Sequence, residues 1–118
     1  MKVLVVDGYK ATSVTFKRIL MRQGFEVDEA ENGKAAFEKI RNCKYDVLVV
    51  SLEQPDVLGK DLLFFARTNL PSAAMIVTLG SSSLKENIDT LEFGADAVLT
   101  KPIMPRELIA IVEKLARK

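Results

Sequence analysis

Short β-branched runs alternate with segments whose apolar residues recur at helical spacing, five times along the chain, and this is the pattern of βα units wound around a parallel sheet. Strands are predicted at residues 2–6, 25–30, 47–50, 74–79 and 97–100. The first, third and fourth are almost wholly apolar, as central parallel strands buried on both faces must be. The second interposes Glu26, Asp28 and Glu29, so it belongs at an edge.

Between the strands, apolar residues three and four apart predict helices. Leu108, Ile111, Val112 and Leu115 form one stripe, with Arg106, Glu113, Lys114 and Arg117 away from it, so the last helix covers one sheet face. Pro105 suits its first turn, where a missing N–H loses no helical partner. Leu84, Ile88 and Leu91 make a similar stripe in a fourth helix, after a Ser81-Ser82-Ser83 cluster that offers an N-cap. Gly94 lies where a helix C-cap tolerates positive φ. Phe64 and Phe65, adjacent on the third helix, cannot both point into the core with equal ease, so an exposed aromatic is expected there. No repeat, linker or low-complexity stretch divides the chain, and residues 1–118 read as one domain.

Composition narrows the function. Lys plus Arg number 17 against 16 Asp plus Glu, a net charge of +1, so no basic surface for nucleic acid is expected. The longest apolar runs, such as 62–66, are five residues, far below the roughly 18 to 20 that span a bilayer. The run at residues 3–6 is broken by Asp7 and does not read as a secretory leader. A cytoplasmic location without membrane attachment is expected. The lone Cys43 has no internal disulfide partner and reads as a reduced thiol. Histidine is absent, which removes Ser-His and Cys-His nucleophile pairs, imidazole metal ligands and a phosphohistidine carrier from this chain. No Gly-x-Gly-x-x-Gly or Walker-type loop marks a nucleotide site.

In an open parallel sheet, ligands gather beyond the carboxyl ends of the strands. That rule selects Asp7, Gly8, Ser51 to Glu53, residues 79–83, and Lys101.

The same segments carry a resemblance. Val3-Leu4-Val5-Val6-Asp7, Glu31-Asn32-Gly33, residues 45–59 with Gln54-Pro55-Asp56 and Gly59, Phe93-Gly94-Ala95-Asp96-Ala97, and Leu99-Thr100-Lys101-Pro102 together resemble the receiver (CheY-like) domains of two-component response regulators. The resemblance covers essentially the whole chain. It implies a doubly wound α/β fold, a five-stranded parallel sheet of order 2-1-3-4-5 with helices on both faces. It also implies a signalling module of phosphorelay type rather than an enzyme.

The family's pocket has two adjacent acids after the first strand, a phosphoacceptor aspartate after the third, a Thr or Ser after the fourth and a Lys after the fifth. Carried over, this chain has Asp7, then Gly8 at the second acid, Ser51 at the acceptor, and Lys101 followed by Pro102. An ungapped count back from Lys101 puts Leu79 at the Thr/Ser position, with Thr78 one place early; a loop shift would bring Thr78 or Ser81 into use. The family's switch aromatic, three residues before the lysine, is Val98 here.

The usual three carboxylates and one ammonium leave a balance that Mg²⁺ offsets, whereas Asp7 and Lys101 sum to zero. Mg²⁺ binding is therefore expected to be lost or weak, with Glu53 the remaining acid near enough to reach inward. A serine hydroxyl also needs a neighbouring base to act as nucleophile. The expectation is a degenerate pseudo-receiver, not phosphorylated on aspartate. It would dock a histidine kinase, an output protein or itself through the face of the fourth helix, fifth strand and fifth helix. The alternative is an operative phosphotransfer receiver using Ser51, Glu53 or Asp7 as acceptor.

Overall fold

All five predicted strands form. In the computed structural model, which describes residues 1–53, 56, 57, 59–80 and 94–116, they are β1 (Lys2–Val6), β2 (Glu26–Ala30), β3 (Val47–Ser51), β4 (Ala74–Leu79) and β5 (Ala97–Thr100). They pair in parallel, in the order β2-β1-β3-β4-β5. The described helices are α1 (Lys10–Arg22), α2 (Gly33–Asn42), α3 (Gly59–Asn69) and α4 (Pro105–Ala116). The helix read from Leu84, Ile88 and Leu91, with its serine cap, lies outside the described residues.

Strand alternation divides the core in two. Leu4, Val6, Leu48, Val50, Met75, Val77 and Leu79 face α2 and α3, where Ala36, Ile40, Leu62, Leu63 and Ala66 meet them. Val3, Val5, Val47, Val49 and Ile76 face α1 and α4, against Phe16, Leu20, Leu108, Val112 and Leu115. The acidic strand β2 pairs only with β1 and is an edge, as its composition predicts. Of the two adjacent phenylalanines, Phe65 packs on Phe37 with ring centroids 4.6 Å apart, while Phe64 remains exposed.

Local devices set the helix positions. Asn32 caps α2 by accepting the Ala35 N–H at 2.8 Å, satisfying a donor that the first helical turn leaves unpaired. Pro105 opens α4 as predicted. At the opposite end of the sheet from the predicted crevice, Arg67 of α3 donates to the carbonyls of Pro71, Ala73 and Gly94 and to Asp96. Gly94 itself sits at φ +97°, the region the sequence reserved for it.

Candidate functional site

Four side chains converge because of strand parity. Residues 3, 5 and 7; 47, 49 and 51; 74, 76 and 78; and 97, 99 and 101 fall on alternate positions of four neighbouring strands. Asp7, Ser51, Thr78 and Lys101 therefore leave the carboxyl end of the sheet on the side covered by α1 and α4.

Asp7 follows β1 directly, and its N–H extends the ladder to the Ala30 carbonyl at 3.1 Å. Its carboxylate is engaged at both oxygens: Oδ1 accepts the Tyr9 N–H at 2.8 Å, and Oδ2 meets Lys101 Nζ at 3.0 Å. Its side chain is 3% exposed, and that of Lys101 is 22% exposed. A carboxylate this buried requires a compensating charge or hydrogen bonds, and Lys101 with the Tyr9 amide supplies both. Lys101 is held in turn by its own N–H, which donates to the Leu79 carbonyl at 2.7 Å. Pro102 follows across a cis peptide and is exposed.

Ser51 is the last residue of β3 and is buried. It lies in register with Thr78 of β4, so the two hydroxyl-bearing residues are neighbours across the strand pair. Thr78 is also buried, and its Oγ1 has no hydrogen-bond partner among the described residues.

Strand parity separates Leu79 from Thr78. Leu79 is not beside Ser51; its side chain belongs to the opposite core with Val77 and Met75, because one step along a strand reverses the face. Thr78 shares the strand face of Ile76 and lies in register with Ser51. Ser81 lies outside the described residues. Val98 is half-buried, in register with Val77 and packed against the α2–α3 side of the sheet.

Gly8 and Glu53 complete the predicted set without joining the four. Gly8 is exposed and contributes no side chain; a Cβ built there would meet nothing nearer than the Glu31 carbonyl at 3.7 Å. Glu53 is exposed, and its Oε1 accepts the Gly80 N–H at 2.6 Å. Among the described residues, no three of Cys, Asp and Glu gather as a metal-holding group.

Sequence reasoning missed a second carboxylate anchor. Asp56 accepts the N–H groups of Gly33 and Lys34, both at 2.9 Å, at the start of α2. These bonds, with that to Lys34 foremost, hold its carboxyl below the usual carboxylate range. The local signal was an acid beside Pro55 in a loop, which does not identify a partner some twenty residues away. A wholly separate cluster lies away from the crevice. Tyr45 O–H donates to Asp28 at 2.7 Å, and burial together with that carboxylate pushes the phenol pKa up.

Residues 3–113 match the family model described as the response regulator receiver domain. The transcriptional regulatory protein CusR of Escherichia coli K12 is 30% identical over 118 residues, all of this chain but 52% of that protein. The chain thus spans about half the length of the curated relatives it matches over its whole length. Among solved structures, a CheY-like receiver domain protein from Methanospirillum hungatei JF-1 is 33% identical, with TM-score 0.91 over 98% of this chain and 94% of that one. The receiver domain of the Francisella response regulator 1452 is 32% identical, with TM-score 0.91 over 98% and 96% of the two chains.

Proposed function

Since the chain belongs to the response regulator receiver domain family, we propose that it is a two-component signalling module that works by docking a protein partner and takes no phosphoryl group on aspartate. The observation that carries this reading is the 3.0 Å pair between Lys101 and the buried Asp7, with the buried Ser51, not an acid, ending the neighbouring strand β3. Phosphoryl transfer depends on a ready nucleophile and on cationic stabilisation of the phosphoryl oxygens. In this crevice the cation and the acid already neutralise one another.

Mg²⁺ does not fit the residues present. A hard divalent cation takes oxygen ligands, preferably carboxylates. Here Gly8 offers no side chain, Asp7 is engaged at both oxygens, and Glu53 is turned to Gly80. The three candidate acceptors are each compromised. Ser51 is buried without a histidine to act as base, and the two acids are committed to the bonds just named.

The partner is a protein: a histidine kinase, an output protein or a second copy of the chain, working in the cytoplasm. The docking surface we assign is the face of β5 and α4; the fourth predicted helix, expected to share it, lies outside the described residues. Val98 in place of an aromatic supports a face that presents one fixed state, since a compact aliphatic side chain packed against the core has no ring to swing inward.

The test is incubation with a small phosphorylated donor and Mg²⁺, followed by intact-protein mass spectrometry. No added phosphoryl group is expected. An added phosphoryl group, stable as a phosphomonoester on Ser51 or labile as an acyl phosphate on Glu53 or Asp7, would establish the competing reading of an operative phosphotransfer receiver.

A further inference from the structure

Beyond the strand ladder, the side chain of Glu53 joins the end of β3 to the end of β4. The last backbone bond between them runs from the Leu52 N–H to the Thr78 carbonyl at 3.1 Å. One residue further on, Glu53 crosses to β4, and its Oε1 accepts the Gly80 N–H at 2.6 Å. The acceptor is a carboxylate, so the bond belongs to the short, charge-assisted class. Gly80 admits this approach because it lacks a Cβ, which would overlap Oε1 of Glu53. The other flank of the same connection is held by Asp56, through Gly33 and Lys34 of α2.

We propose that Glu53 is a built-in tether, a permanent carboxylate that fixes the exit of β4 against the exit of β3. The proposal rests on the reading that no phosphoryl group enters the crevice. A crevice that binds no exchangeable anion has no occupant to bridge the two strand ends, and Glu53 bridges them from within the chain. The backbone then leaves the sheet at Gly80 from one fixed anchor.

The experiment uses the full ¹⁵N-labelled chain and reads amide hydrogen exchange at position 80 by NMR, normalised to the rate of an unstructured peptide. E53A should accelerate exchange there about tenfold, the low end for losing a hydrogen bond to a charged group. The amides of Val49 and Val50, inside the sheet, should keep their wild-type rates. E53Q, which keeps an oxygen acceptor without the charge, should fall between. G80A is the second variant: its methyl group displaces the carboxylate without removing it, and should reproduce the E53A rate at position 80. Equal exchange at position 80 in wild type and E53A overturns the tether. A phosphoryl adduct in the donor experiment overturns the reading beneath it instead, so the two failures are distinguishable.

Discussion

Replacing Lys101 with Met removes the ammonium but keeps most of the aliphatic stem, and leaves the Asp7 carboxylate without its cation while Oδ1 still accepts the Tyr9 N–H. The cost follows from burial. Exposed ion pairs contribute about 0 to 1 kcal/mol, whereas removing one partner of a fully buried pair costs about 3 to 5 kcal/mol. Asp7 is 3% exposed and Lys101 22%, so the pair sits nearer the buried limit on one side only. We expect K101M to lose about 2 to 3 kcal/mol of stability. D7N/K101M should recover part of this, because no charge is then stranded in the crevice. The assay is a double-mutant cycle from urea unfolding of wild type, D7N, K101M and the double variant at pH 7, with m-values compared to verify a common unfolded state. The coupling energy should be about 1.5 to 2.5 kcal/mol. A coupling below about 0.5 kcal/mol, within the error of additive sites, would mean that the two groups do not act on one another in solution and would remove the electrostatic basis of the functional reading.

Two further outcomes are expected. The double substitution G8D/S51D rebuilds a carboxylate cluster around Asp7, and the open space at Gly8 admits the first of the two side chains; it should acquire Mg²⁺ binding, visible as shifts of crevice amides at millimolar metal, and a folded double variant indifferent to Mg²⁺ would show that the pocket is misplaced. Asp56 has a folded-state pKa below its unfolded value of about 3.9, so its contribution is complete above that value and is lost as pH falls through the folded value; D56N should flatten the acid limb of the stability curve below about pH 4, and an unchanged limb would refute the role of these bonds.

The strands and their order were legible because burial on both faces and the acid-bearing edge strand leave direct marks on composition. β2 shows this best: Glu26, Asp28 and Glu29 announced an edge, and β2 pairs only with β1. Asp7, Ser51 and Lys101 were legible for a related reason, since each ends or immediately follows a strand whose limits the apolar runs define. Thr78 was less plain, because an ungapped count back from Lys101 lands on Leu79, whereas the strand parity shared with Ile76 singles out Thr78 as the neighbour of Ser51. Gly80 and Asp56 were invisible for another reason. Their partners, Glu53 and the amides of Gly33 and Lys34, are distant in sequence, and a backbone N–H carries no residue-specific signal.

The central claim concerns the crevice itself, and beryllofluoride, a mimic of an acyl-phosphate, addresses it directly. Titrating the ¹⁵N-labelled chain with beryllofluoride and Mg²⁺ should leave the amide resonances of Asp7, Ser51, Thr78 and Lys101 where they are, with G8D/S51D as the responsive control. Saturable shifts centred on those four residues in the wild-type chain would contradict the account.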